Sequence, residues 1–284
     1  MKTREYGIMI GRLSKNLVVV AGLVVAATAA SGASLEDIKK RGELVIGLEA
    51  QYTPYEFFKD GEIIGYDVDI LNKFAKKLGV KVKLVDTEWN GIIPALLARK
   101  FDAILSGMTI TKERAEKLNF SMPYAEATNV VLIRAKDDSI KTAEDIAGKR
   151  IGAQISSAGD KVAKEFQELL KQKGKPGYTD YKLYDHYPEA YLDLNNGRID
   201  AVVNSLSTLA VVMKEQPGKF KVVTGIQSLK AYFGMSFRKE DADFLKFANE
   251  QFAEMKKSGE LAELQTKWFG QPMETPDAVP AELP

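Results

Sequence analysis

Gly65-Tyr66-Asp67-Val68-Asp69-Ile70-Leu71-Asn72-Lys73-Phe74-Ala75-Lys76-Lys77-Leu78-Gly79-Val80-Lys81-Val82-Lys83-Leu84-Val85 sets an amphipathic helix directly before a strand. Val68, Leu71, Phe74, Ala75 and Leu78 recur at helical spacing on one face, which predicts a helix over 67–78 with Asp67 as its N-cap. Gly79 supplies the left-handed residue that ends such a helix. Val80–Val85 then alternates as a strand does.

The same alternation continues on both sides. Strands are expected at Leu44–Leu48, Phe101–Leu105, Val130–Ile133, Arg150–Ile155, Ile199–Val203 and Tyr232–Arg238. Helices are expected at Ile93–Arg99, Gly159–Lys173, Pro188–Asn196, Leu206–Glu215, Asp241–Lys257 and Gly259–Phe269. Alternation of this kind implies parallel sheet with crossover helices, an α/β class. An internal echo supports two similarly built halves. Lys100-Phe101-Asp102-Ala103-Ile104 resembles Arg198-Ile199-Asp200-Ala201-Val202, and Gly47 and Gly152 sit in the opening strand of each half. The Pro-rich segment from Gln271 to Pro284 reads as a loosely attached tail.

Composition narrows the function. The chain has 284 residues, 45% hydrophobic and 28% charged, as a globular protein does. A formal charge of +1 gives no electrostatic case for nucleic acid or an anionic membrane. The absence of cysteine excludes disulfides, thiolate metal sites and a lipoprotein anchor, and one histidine, His186, is too few for a histidine metal centre or triad. No cofactor or metal is expected. Near the helix beginning at Pro188, that histidine reads as a surface residue.

Lys2, Arg4, Arg12 and Lys15 precede an apolar run, Leu17 to Ala27, and then small residues through Ala33, the order of a secretory signal cleaved after Ala33 or Ala29. The run is shorter than the ~20 apolar residues of a membrane span. Residues 1–33 are therefore expected to be removed, taking the formal charge from +1 to −2 and leaving an exported, soluble protein.

Ligands of open α/β sheets sit beyond the carboxyl ends of the strands. Thr111 there reads as an N-cap that places Arg114 in a first helical turn, where the helix dipole disfavours a cation unless an outside anion is present. Its planar fork suits a carboxylate, although pairing with Glu113 or Glu116 on the surface is the competing fate. Ser156-Ser157-Ala158-Gly159 opens a long helix, whose free N–H groups also favour an anion. Tyr52, Tyr55 and Trp89 follow strand ends and can wall a pocket, whereas Phe57 and Phe58 read as core.

Seven segments in order carry a family resemblance. They are Gly65-Tyr66-Asp67-Val68-Asp69-Ile70, Trp89-Asn90-Gly91-Ile92-Ile93-Pro94-Ala95-Leu96, Asp102 through Arg114, Phe120-Ser121-Met122-Pro123-Tyr124, Gly148-Lys149-Arg150-Ile151-Gly152, Gly197-Arg198-Ile199-Asp200-Ala201-Val202 and Lys267-Trp268-Phe269-Gly270. The chain resembles the family 3 solute-binding proteins of bacterial polar amino-acid ABC importers. That resemblance implies a two-lobed periplasmic binding protein type II fold, hinged by two crossing strands. Lobe 1 would comprise 34–128 and 230–284, with 271–284 as its tail, and lobe 2 would comprise 129–229. It also implies a monomer that hands a carboxylate-bearing ligand to a permease.

Carried over by residue, Arg114 would clamp the ligand carboxylate, helped by Thr109, Ser157 and Ala158. Tyr52 and Trp89 would sandwich the ligand side chain, and the Gly107 carbonyl would accept from an ammonium. Ser205 departs from the family, which has an aspartate there for the ammonium, so the ligand lacks a standard ammonium or Glu49 or another acid supplies the charge. The 156–158 loop is one hydroxyl poorer than the family's. A cyclohexadienyl dehydratase-like enzyme on the same scaffold is the alternative, with Glu49, Glu88 and Glu126 as candidate acids. A receptor's sensing module is a third reading.

Overall fold

Two five-stranded sheets, each built mainly of parallel strands, share one chain. The computed structural model describes residues 34–284, so the signal segment at 1–33 lies outside the described residues. In the first sheet the order is Lys81–Asp86, Glu43–Leu48, Ala103–Ile104, Ser236–Phe237, Asn119–Phe120. Its first three strands run parallel, and Ser236–Phe237 returns antiparallel. In the second the order is Asp180–Tyr184, Arg150–Gln154, Ala201–Ser205, Asn129–Arg134, Phe220–Val223. The first three are again parallel, and Asn129–Arg134 is antiparallel to both neighbours. The chain leaves the first sheet through Ala125–Glu126 and comes back through Tyr232–Phe233, and these two short strands pair with each other. This is the two-lobed type II arrangement with two crossing strands.

The internal echo is structural. Ile46 pairs with Ala103 and Gly47 with Ile104, while Ile151 pairs with Ala201 and Gly152 with Val202. In both halves an aspartate at the entry of the central strand pins the start of its neighbour. Asp102 accepts from the Val45 N–H at 2.9 Å and pairs with Arg41. Asp200 accepts from the Arg150 N–H at 3.0 Å and from the guanidinium groups of Arg150 and Arg134 at 2.7 and 3.2 Å. Both glycines are forced by packing: a Cβ on Gly47 would lie 2.3 Å from the Phe101 ring, and one on Gly152 would lie 2.7 Å from Ile199.

Several expectations are corrected. The 67–78 helix is Tyr66–Leu78, and Asp67 does not cap it. Its cap residue is Gly65, and the N–H groups of Tyr66 and Asp67 instead donate to the carbonyls of Pro54 and Tyr55 on the preceding loop. That frees the Asp67 carboxyl to turn inward. Gly79 does end the helix in the left-handed conformation. The helix expected at Ile93–Arg99 begins earlier, spanning Trp89–Leu97.

Phe58 is 54% exposed on the hairpin Glu56–Lys59/Glu62–Ile64, because side chains of a small three-stranded sheet point alternately to its two faces and Phe58 is on the one open to water. The tail is not loose. Met273 N–H donates to Gln265 at 2.8 Å, Asp277 pairs with Lys256 at 2.6 Å, and the Pro284 carbonyl accepts from Lys112 N–H at 3.1 Å. A strand also forms at Asp180–Tyr184, where most side chains are polar or exposed and give little apolar pattern, and a short one at Phe220–Val223.

Gly47→Ala is expected to lower the unfolding free energy by about 1–3 kcal/mol through overpacking against Phe101. The measurement is a reduced urea midpoint with an unchanged slope.

Candidate functional site

The parallel strands of both sheets end at one cleft, and the loops that follow them supply its walls. Arg114 stands in the first turn of the short helix Lys112–Lys117, whose N-cap Thr111 takes the Arg114 N–H on its hydroxyl at 3.3 Å. The guanidinium donates to the Thr109 carbonyl at 3.0 Å and, across the cleft, to the Ser156 carbonyl at 3.0 Å. It lies 5.3 Å from the Trp89 ring centroid. Loss of surrounding water pulls its pKa down to about 10. Among the described residues no carboxylate comes within ion-pair distance of it. The surface pairing with Glu113 or Glu116 is not made, since Glu113 meets Lys117 instead.

Opposite Arg114, Ser157 caps the helix Ala158–Gln172, accepting from Asp160 N–H at 3.0 Å and meeting the Tyr187 hydroxyl at 3.1 Å. The first N–H groups of a helix have no intrahelical acceptor. Ala158 and Gly159 carry two of them here, and both line the cavity. Ser156 just before the helix has φ of +60°, and its carbonyl also receives the Trp89 indole N–H at 3.2 Å.

Nine of the residues singled out from the sequence line one cavity, namely Glu49, Tyr52, Trp89, Gly107, Thr109, Arg114, Ser157, Ala158 and Ser205, whereas Tyr55 does not. Gly107 has φ of +46°, and a Cβ there would meet the Tyr52 ring at 2.6 Å, so only glycine lets the loop and the ring share the wall. The Tyr52 ring stacks on Tyr55, and its hydroxyl crosses to Asn204 at 3.1 Å, Ser205 at 3.2 Å and Thr208 at 2.9 Å. Burial pushes that phenol up to about 12. Ser205 thus sits in a cluster of hydroxyls, with its own donated to Thr208 at 2.8 Å.

Glu49 is the only carboxylate among the lining residues. It is 3% exposed, and both oxygens accept from the Gln154 amide at 2.7 and 2.8 Å. Burial raises its pKa, while hydrogen bonds from His186 and Gln154 oppose that rise. His186 is therefore not the surface residue that its sequence context implied. As N-cap of Tyr187–Asn195 it places Nδ1 2.6 Å from Glu49, and Nε2 lies 3.3 Å from Glu88. Glu88 and Glu126 do not line the cavity. Gln154, which heads the Ser156-Ser157 segment, lines it as well, and so do Tyr187, Asn204 and Asn129, which nothing in their immediate sequence marks.

Beneath the wall lies a buried carboxyl pair. Glu56 and Asp67 have no exposed surface. Glu56 accepts from the Ser106 hydroxyl at 2.7 Å, and Asp67 accepts from Gly107 N–H at 3.0 Å and the Tyr124 hydroxyl at 2.9 Å. Glu56 Oε2 and Asp67 Oδ1 have no hydrogen-bond partner among the described residues, and burial raises both pKa values. The two carboxyls hold the Ser106-Gly107 loop from below.

Solute capture is the capacity this geometry defines, and sequence comparison agrees. The profile of the bacterial extracellular solute-binding proteins, family 3, matches residues 44–271, and the chain belongs to that family. L-cystine-binding protein TcyJ of Escherichia coli (strain K12) is 36% identical over 255 residues, covering 89% of this chain and 91% of the relative. ABC transporter arginine-binding protein 1 of the same organism is 31% identical over 256 residues, covering 88% and 99%. Among solved structures, a mutant of ArgBP from T. maritima superposes with a TM-score of 0.73 at 38% identity, covering 84% of this chain and 99% of the other. The ancestral amino acid-binding protein AncCDT-1, a precursor of cyclohexadienyl dehydratase, gives 0.74 at 35% identity, covering 83% and 99%.

A carboxyl that keeps its proton in the folded state and loses it when unfolded favours folding at low pH. Stability is therefore expected to fall as pH rises from about 5 to about 8. Glu56→Gln, which cannot titrate, is expected to flatten that slope, read from urea midpoints across the range.

Proposed function

We propose that this protein captures a small amino-acid-type solute bearing a carboxylate in the periplasm and delivers it to an ABC importer. The observation that carries the reading is Arg114, a cation without a carboxylate partner among the described residues, facing the start of the Ala158–Gln172 helix. A ligand carboxylate there meets the guanidinium fork, Thr109 and the N–H groups at 158 and 159, in a cleft where charge-assisted bonds are strong. Tyr52 and Trp89 wall the ligand's side chain. An ammonium has one carboxylate to meet, Glu49, because position 205 is a serine held by hydroxyls.

In this reading residues 34–128 with 230–284 form one lobe and 129–229 the other, hinged at the crossing strands and acting as a monomer. Residues 1–33 are the cleaved export signal, and with no cysteine the mature chain takes no lipid anchor. Among the described residues no helix is long and apolar enough to cross a membrane. Binding rather than catalysis is the proposed activity. Glu49 is occupied by Gln154 and His186, and Glu88 and Glu126 do not line the cavity, so among the described residues no carboxyl is free to serve a bound ligand as general acid.

Mature protein screened by thermal shift against polar amino acids, with L-arginine and L-cystine included, is expected to gain melting temperature with one of them. Arg114→Ala is expected to weaken that binding by at least about 30-fold, equivalent to about 2 kcal/mol. Its ligand-free melting temperature should change little. Unaltered affinity would remove the carboxylate clamp.

A further inference from the structure

His186 is the only histidine of the chain, and it stands where the two lobes meet. It comes from the second sheet's side, between the strand Asp180–Tyr184 and the helix Tyr187–Asn195. Both of its carboxylate partners come from the first sheet's side. Glu49 follows the strand Glu43–Leu48, and Glu88 precedes the helix Trp89–Leu97. Nδ1 lies 2.6 Å from Glu49 and Nε2 3.3 Å from Glu88, so each ring nitrogen faces an acid of the opposite lobe.

An imidazole with an acid at both nitrogens satisfies both only when both nitrogens carry protons, which is the imidazolium. From its own helix His186 faces Glu189, and Gln154 of the strand Arg150–Gln154 completes the group by donating to Glu49. The Gln154 amide also donates to the Asp185 carbonyl at 2.8 Å, which fixes Glu49, Gln154 and the turn carrying His186 as one assembly.

We infer that Glu49, His186 and Glu88 form a protonation-dependent latch across the cleft, which holds the two lobes together when the imidazole is charged. The inference rests on the proposed reading of the cleft as a ligand trap and adds its regulation. Burial by itself would lower the histidine's pKa, but the hydrogen bond to Glu49 and the charges of Glu49, Glu88 and Glu189 outweigh it, and the net shift is upward. A base held charged in the closed state contributes fully below its open-state pKa and loses that contribution as pH rises through the closed-state value. On the acid side the latch fails too, as pH falls through the raised pKa of Glu49 and its carboxylate is neutralised. Closure is therefore strongest in a window between the two titrations, and alkaline conditions favour release.

The lone histidine makes the test direct, because its ring protons give one titrating signal in an NMR spectrum of ligand-free mature protein. The expected midpoint lies above the ordinary histidine value of about 6.5. Glu49→Gln should move it down, and Glu88→Gln should move it down less. Small-angle scattering across the same range should show the radius of gyration increasing through that midpoint in the wild type. His186→Gln should abolish the increase. Glu88 is largely exposed, so its variant tests the latch even if the substitution at buried Glu49 fails to fold. An ordinary midpoint unmoved by either substitution, or a radius that does not follow the titration, overturns the latch. Neither readout uses a ligand, so failure here leaves the Arg114 prediction standing, and failure of amino-acid binding leaves the latch result standing.

Discussion

Everything at the cleft depends on two aspartates that set where parallel strands begin. Asp102 holds the Val45 N–H, and Asp200 holds the Arg150 N–H. A one-residue slip of a strand would turn each side chain to the other face. Because entry is pinned at one end, the exits at the other end are fixed as well. The loops at 49–52, 105–109, 154–158 and 204–206 then all reach the cleft. Asp200 is held well below the usual carboxylate range, chiefly by its hydrogen bond to Arg150, so the pin stays charged through the neutral range. The function class follows from register before it follows from any single pocket residue.

The pocket so formed is electrostatically asymmetric. One wall carries a guanidinium that lacks a carboxylate, with a helix start opposite it. The other carries a carboxylate already engaged by an amide and an imidazole. Such a site discriminates by leaving specific groups short of partners. Solutes that supply an anion to Arg114 complete its hydrogen bonding, and those that cannot leave a desolvated charge unmet. The hydroxyl cluster around Ser205 is by contrast internally satisfied by Tyr52 and Thr208, and it offers little to an incoming cation.

Much of this was legible in the sequence, and the limits are physical. Strand–helix alternation, the 98-residue echo from Asp102 to Asp200 and the odd placement of Arg114 in a first turn each report local chemistry, and local chemistry is what residues encode directly. Nine residues named from the sequence line one cavity, while Tyr55, Glu88 and Glu126 do not. What could not be read was long-range. His186 looked like a surface residue because its neighbours Asp185 and Tyr187 say nothing of Glu49, which lies 137 positions away. Asp67 looked like a cap because an aspartate before an apolar face usually is one, yet carbonyls of the preceding loop satisfy the helix start. The Pro-rich tail looked loose because its anchors, Gln265, Lys256 and Lys112, belong to other elements. Phe58 looked buried by residue type alone, and its place on a hairpin overrode that.

One carbonyl gives the cleft a mechanical character. Ser156 is turned left-handed so that its oxygen receives both the Trp89 indole and the Arg114 guanidinium from the facing lobe. Two donors that converge on one acceptor are lost to the same movement. Parting of the lobes would break both within a short travel and offer neither a substitute on the way. Opening of this kind would resemble a snap fastener more than a dimmer: either both donors are seated or neither is, with little stable ground between.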